Sequence, residues 1–245
     1  MIYGLPLQTP ASIAETAEQV RSLSPDRIAL FSYAHVPQIK KHQKALEAYG
    51  LPDKYTLLAM ESSARDVLHE AGYLAIGMDH FAKPDDSLAK AMLEKRLRRN
   101  FQGYTDDTAP ALLGLGASSI SRTSEGFFQN ERDEMPYREL VEKGNLATVR
   151  GIHLSREDIL RGALIEELMC TLSCDVEELC RRHNYPISGL ASELEALKSF
   201  EKAGLVKREG TRLHLITPYR MAIRVIARVF DDTSKDPNTA ASRAA

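Results

Sequence analysis

The chain has 245 residues, 43% of them apolar, enough for one large domain or two modest ones with a real core. Its net charge of -2 gives no overall pull towards nucleic acid or an anionic membrane. No run of about 18 apolar residues suggests a transmembrane helix, and Met-Ile-Tyr-Gly-Leu-Pro lacks the basic and apolar regions of a signal peptide, so a cytoplasmic location is expected.

Strand and helix alternate in the first part. Residues 2–5 read as a short strand. Thr9 can cap a helix whose first position is Pro10 and which runs to about Leu23. Ser24-Pro25-Asp26 is a turn, and residues 27–34 a buried strand. A second helix runs from about Lys54 to Gly72, a natural C-terminal cap. Residues 73–78 predict a third strand, 88–98 a helix and 112–115 another short strand. This βαβα order implies a parallel sheet covered by helices, with chemistry gathered in the loops after strand C-termini. Those loops hold Leu5-Pro6-Leu7-Gln8, Ala34-His35-Val36-Pro37 and residues 79–86.

The character changes after about Arg150. Residues 159–172, 175–183 and 190–203 predict three helices, the last stopped by Gly204. Two short strands, 205–208 and 212–216, flank Glu209-Gly210, a hairpin signal. Thr217-Pro218 starts a last helix to about Phe230. Three helices and a hairpin make a winged-helix-like plan. The domains expected are 1–150, 151–230 and a flexible tail, 231–245.

Charge argues against DNA reading by the second domain. Residues 150–230 hold 13 Lys and Arg against 11 Asp and Glu, and the would-be recognition helix carries Glu193, Glu195 and Glu201, which repel phosphate. Arg220, Arg224 and Arg228 form a single stripe, expected to be the wet face of the last helix.

Five constellations invite chemistry. Cys170, Cys174 and Cys180 suggest an iron–sulfur cluster, but on a helical segment a cysteine more often packs as a small hydrophobe, and reduced thiols are expected. Asp79 and His80 follow a strand end. On an extended segment, adjacent residues point to opposite faces, which makes a poor acid–base or metal pair. Phe101 and Gln102 offer a flat apolar wall and an amide. Lys95, Arg96, Arg98 and Arg99 form a basic run, read as a solvated helix face with Arg99 the best exception. The loop from Gly114 to Ser119 is small enough to let backbone approach a ligand.

The segments Ile2-Tyr3-Gly4-Leu5-Pro6, Phe31-Ser32-Tyr33-Ala34-His35, Gly77-Met78-Asp79-His80-Phe81-Ala82 and Arg99-Asn100-Phe101-Gln102-Gly103-Tyr104-Thr105 carry a resemblance. With the loop from Gly114 to Ser121, they resemble the oxygen-independent coproporphyrinogen III oxidases, radical S-adenosylmethionine (SAM) enzymes of haem synthesis. The resemblance covers nearly the whole chain and begins in mid-fold. It implies an α/β fold: the C-terminal half of a partial (β/α)6 barrel, then a mostly helical, winged-helix-like domain. The implied activity is anaerobic oxidative decarboxylation of coproporphyrinogen III to protoporphyrinogen IX, with SAM and a [4Fe–4S] cluster as cofactors and an electron donor protein as partner. The cluster's cysteine loop has no counterpart here, so a metal site in this chain is not expected. By analogy, Ala34 and Ile120 contact SAM, while Phe101, Gln102 and Arg99 line the substrate or second-SAM pocket. The complete protein is expected to be a monomer, with no nucleic acid or membrane partner. The chain alone is expected to be inactive and marginally stable. The alternative is a non-catalytic relative that binds haem, porphyrin or a partner protein.

Overall fold

The computed structural model describes residues 1–216 and 220–231. Strand β1 (Ile2–Tyr3) leads into helix α1 (Pro10–Leu23). Thr9 and Ser12 close a capping box there, and Pro10 sits in the first turn, where its missing N–H costs nothing. Ser24 ends α1 in the left-handed region.

The expected strand 27–34 is two pieces, β2 (Arg27–Ala29) and β3 (Phe31–Ser32). β3 pairs in parallel with β1. After a 3-10 segment (Lys41–Tyr49), Asp53 caps α2 (Lys54–Glu70), and Gly72 follows at φ 84°. Ile13 and Ala17 of α1 meet Met60, Ala64 and Leu68 of α2 over Tyr3, Ile28, Leu30 and Phe81, forming the first core.

The expectation of a wholly parallel sheet fails at the next step. β4 (Leu74–Ile76) reverses over three residues into β5 (His80–Ala82), which lies antiparallel between β2 and β4. Gly77 makes the reversal possible. It stands at φ 54°, and a Cβ on it would lie 2.1 Å from the Tyr104 ring.

Asp86 caps α3 (Ser87–Leu93), which ends earlier than predicted. Lys95 takes φ 57°, and the chain turns into β6 (Arg98–Asn100), paired with β7 (Gly103–Thr105). The basic run is therefore not one helix face: Arg96 pairs with Glu94, while Arg98 reaches Glu166 from a strand. Residues 112–115 give a lone bridge, Leu112 to Arg122, instead of a strand. β8 (Ile120–Arg122), β9 (Gly126–Asn130) and, after α4 (Glu134–Glu142), β10 (Thr148–His153) form an antiparallel sheet in the order β10-β9-β8 that the pattern did not announce.

The C-terminal part follows the predicted helices closely. A Ser155–Asp158 capping box opens α5 (Arg156–Thr171); β11 (Ser173–Asp175), α6 (Val176–Arg182) and α7 (Ala191–Lys202) come next. β12 (Val206–Glu209) and β13 (Arg212–Leu215) form the predicted hairpin, with β11 added on the far side of β13. α8 (Ile223–Ala227) sits between short 3-10 turns. Leu160, Leu164, Leu168, Leu197, Leu213 and Phe230 centre this second core. The predicted helix start at Thr217-Pro218 and the tail from residue 232 lie outside the described residues.

Two charge expectations are corrected. Glu193 does not face solvent; it is buried against Arg161 at 2.9 Å. Arg220 and Arg224 are not a wet face either. Arg220 donates to the carbonyls of Ala75 and Gly77, and Arg224 lies 3.9 Å from Asp79. Both point back at the β4–β5 turn, whose Met78 side chain belongs to the second core. Among the described residues, no helix is long and apolar enough to cross a membrane.

Candidate functional site

The β4–β5 turn organises the centre. Asp79 lies in the turn, not on an extended strand, so it can fold back on its neighbour: His80 Nδ1 lies 2.7 Å from Asp79 Oδ1. The expectation that the two diverge was therefore wrong. A carboxylate only accepts, so Nδ1 carries the proton and Nε2 is left for another partner. The imidazole stands edge-on to Phe31 and to Tyr104, with ring centres 5.6 and 5.1 Å apart. Nε2 points at Gly103, 3.3 Å from where a Cβ would be.

Tyr104 bolts this cluster to the helical part. Its hydroxyl accepts from Met78 N at 3.1 Å and donates to Met169 O at 3.0 Å. Burial pushes the phenol up to about 12. The Arg99 guanidinium sits 5.7 Å from the Tyr104 ring centre, a cation–π geometry. Arg99 also anchors its strand, its backbone N–H donating to Glu166 Oε1 at 3.1 Å. No described carboxylate lies within ion-pair reach of its side chain, and its buried Nε has no hydrogen-bond partner. That makes Arg99 a cation available to an external acid.

The β6–β7 turn carries Phe101 and Gln102, both exposed. Asn100 Oδ1 accepts from Gln102 N at 2.8 Å and fixes the turn. Phe101 stands edge-on to Phe127, ring centres 5.3 Å apart and planes at 82°. Phe127 pairs across strands with Arg122, and Ile120 is two residues along the same strand and hence on the same face. The structure thus brings Phe101 and Ile120 together through Phe127, a residue the sequence did not single out. Ala34 stands further off, in the loop after β3. Gln43 brackets that loop, donating to Ala34 O at 3.1 Å and accepting from Val36 N at 2.6 Å. Phe31, three residues before Ala34 in the chain, stands edge-on to His80.

A cavity of about 930 Å³ opens behind this cluster, between β6, β8 and α5. Gly77, Arg98, Arg122, Phe127 and Arg220 are among its walls, but Ala34, Phe101, Gln102 and Ile120 are not. None of Ala34, Arg99, Phe101, Gln102 and Ile120 lines this hollow, which Phe127 and Arg122 border from the sheet.

The donor set does not suit an iron–sulfur cluster. Cys170 packs with Ile76, Leu88 and Tyr104 in one core, while Cys174 and Cys180 pack in another. Burial pushes Cys170 up to about 12 and raises Cys174 and Cys180 as well, the opposite of what a thiolate ligand needs. Among the described residues, no group of three or more His, Cys, Asp or Glu could hold a metal ion. Phe101 and Phe127, with ring planes at 82°, instead offer an apolar corner, and Gln102 follows Phe101 in the exposed turn.

The chain matches no protein-family model. It is 42% identical over 231 residues to an oxygen-independent coproporphyrinogen III oxidase from Bradyrhizobium diazoefficiens, a match covering 94% of this chain and 51% of the relative. The like-named protein of Pseudomonas aeruginosa is 38% identical over 232 residues, covering 94% of this chain and 50% of that one. Among solved structures, the radical SAM enzyme coproporphyrinogen III oxidase (HemN) of Escherichia coli matches with a TM-score of 0.86 and 38% identity, over 94% of this chain and 54% of its own. Along 94% of its length the chain is similar to oxygen-independent coproporphyrinogen III oxidases, and it spans about half the length of the curated relatives it matches.

Proposed function

We propose that the chain supplies the SAM- and substrate-facing half of an oxygen-independent coproporphyrinogen III oxidase, which turns two propionates of coproporphyrinogen III into the vinyl groups of protoporphyrinogen IX. Residues 1–150 then form the second half of a partial (β/α)6 barrel. Residues 151–230 form a winged-helix-like domain, a reading supported by the order α5, β11, α6, α7, β12, β13.

In this reading Ala34 and Ile120 hold SAM, while Phe101, Gln102 and Arg99 line the substrate or second-SAM pocket. Bound SAM, cleaved reductively, supplies the radical that takes a hydrogen from a propionate side chain. The chain's own residues do simpler work. Phe101 and Phe127 keep water from one face of the ligand. Gln102 offers one donor and one acceptor centre. Arg99 meets a carboxylate in a charge-assisted hydrogen bond. The [4Fe–4S] ligands belong to a segment outside these residues, and an electron donor protein serves it. The complete protein works as a monomer in the cytoplasm, away from nucleic acid and membrane.

The observation that carries this reading is likeness to named oxidases over 94% of the chain. Its test joins the chain in frame behind the cluster-bearing half of the Bradyrhizobium relative, followed by anaerobic reconstitution with iron and sulfide. SAM cleavage and conversion of coproporphyrinogen III are expected, and Arg99→Gln is expected to lower conversion at least about tenfold. A chimera that folds and holds its cluster but cleaves no SAM would contradict the reading and favour a non-catalytic porphyrin binder.

A further inference from the structure

The register of the β8–β9–β10 sheet carries a second message. From Gly126 to Phe128 the pairing with β10 is regular, with His153 opposite Gly126, Ile152 opposite Phe127 and Gly151 opposite Phe128. Between Arg150 and Thr148 the register shifts by one residue, so Arg150 faces Gln129 while Thr148 faces Asn130. Counted from Thr148 without that shift, Arg150 would oppose Phe128 and Ile152 would oppose Gly126, both on the other face of the sheet. The bulge therefore turns Arg150 and Ile152 onto the face that holds Phe127 and Ile120.

That face is apolar at its centre and cationic at its edge. Cross-strand partners stand about 4.5–5.5 Å apart, so Ile152 lies against Phe127. Phe101 meets Phe127 from the neighbouring hairpin. Yet Ile152 is 53% exposed and Phe101 is 55% exposed, and β10 is exposed along its whole length. Large apolar side chains grouped on an open sheet mark a binding surface. Arg150 is exposed at the rim, and no described carboxylate lies within ion-pair reach of it, as is also true of Arg99. Arg122, cross-strand from Phe127 on the same face, shares Glu166 at 3.8 Å. Three strands span roughly 10 Å, so the wall is broad enough for a ring system.

We infer that this face is a binding wall for a carboxylate-rimmed tetrapyrrole ring, with Phe127 and Ile152 under the ring and Arg150 anchoring a peripheral carboxylate. The inference rests on the proposed function and adds a subsite to it. Charge complementarity selects the occupant: Arg122 on β8, held by Glu166 only at 3.8 Å, and Arg150 on β10, without a described counter-ion, stand on the two edge strands either side of Phe127, which fits an apolar ring with acids on its edge better than an apolar protein face.

Coproporphyrin III, the stable oxidised tetra-acid, is the probe, titrated with the chain by fluorescence anisotropy at several salt concentrations. Arg150→Gln is expected to weaken binding about five- to tenfold and to flatten its salt dependence, with Arg150→Lys recovering part of the loss. Ile152→Asp is expected to weaken it further. Neither substitution should move the thermal midpoint, because both side chains are exposed. If Arg150→Gln and Ile152→Asp bind like the parent while Arg99→Gln and Phe101→Ala lose the porphyrin, the wall is wrong and the proposed function stands. If all four bind like the parent, or if the parent binds no porphyrin, the inference fails; SAM cleavage by the chimera then decides the proposed function separately. If Ile152→Asp instead dissolves a dimer of the chain and leaves porphyrin binding unchanged, the face is a contact between copies and the inference is overturned.

Discussion

The Tyr104 hydroxyl donates to the Met169 carbonyl at 3.0 Å, joining the β6–β7 hairpin to helix α5 across 65 residues of chain. The same oxygen accepts from Met78 N in the β4–β5 turn. Three segments thus meet on one phenol, and the turn bearing Phe101 and Gln102 inherits its position from them. Tyr104→Phe would leave a buried N–H and a buried carbonyl without partners. The expected cost is about 1–3 kcal/mol. For a chain of this size that lowers the thermal midpoint by about 2–4 °C per kcal/mol, readable by circular dichroism. An unchanged midpoint would mean that water replaces the phenol and that Tyr104 does not set the hairpin.

Stability should fall at alkaline pH. Burial holds the Cys170 thiol at about 12, up from 9.0, and the Tyr104 phenol at about 12, up from 10.0; Cys174 and Cys180 are also raised. An acid with a raised folded-state pKa keeps its proton while the unfolded chain gives its own away. Below pH 9 these groups contribute no slope. From about 9 for Cys170 and about 10 for Tyr104, up to about 12, each lowers stability by up to about 1.4 kcal/mol per pH unit. Urea midpoints measured from about pH 8 to about 11 should therefore drop, and less steeply in Cys170→Ala. In the folded chain the same burial should make the thiols slow towards thiol reagents.

Arg161 is the buried cation of the second core. It reaches Glu193 at 2.9 Å and Glu157 at 2.7 Å, and its Nη1 donates to the Phe230 carbonyl at 3.2 Å. Arg161→Met strands the Glu193 carboxylate in the core and is expected to cost about 3–5 kcal/mol. The double variant Arg161→Met with Glu193→Leu removes both charges and should cost less than either single one. Urea denaturation of the four proteins forms the cycle. A double variant as weak as the sum of the singles would show that the two residues do not act as a pair.

Local signals made the helices legible. Thr9-Pro10 marks an N-terminus by chemistry that depends only on nearby residues, and the helix starts there; the caps Asp53 and Ser155 are equally local, although the apolar pattern alone starts the latter helix at residue 159, three residues late. The Glu209-Gly210 hairpin is equally local. What failed depends on long-range partners. β5 reads as a loop because its strand character comes from β2, about 50 residues away. Arg220 and Arg224 fall on a stripe that looks wet until the β4–β5 turn comes to meet it. Asp79 and His80 looked divergent because periodicity assumes an extended backbone, and only the turn at Gly77 removes it. At the site, Phe101 and Arg99 could be singled out by type, but Phe127 gains its place only from sheet register, which no local pattern specifies.

Gly103 offers a sharper test of the His80 geometry. It stands at φ 131°, a conformation that L side chains rarely adopt, and a Cβ there would lie 3.3 Å from His80 Nε2. Gly103→Ala therefore carries both backbone strain and a squeeze on the imidazole, and is expected to cost about 1–3 kcal/mol. The two contributions can be separated. In a His80→Ala background the squeeze is gone and only the strain remains, so Gly103→Ala should cost less there. The chain has no tryptophan, so Phe101→Trp gives a single reporter on the same turn. If His80 holds the turn through Gly103, His80→Ala should shift the emission of Trp at 101 and speed hydrogen exchange of the amides at 102–104. If emission and exchange are unchanged while stability falls, His80 is packing only, and the position of the Phe101–Gln102 turn does not depend on it.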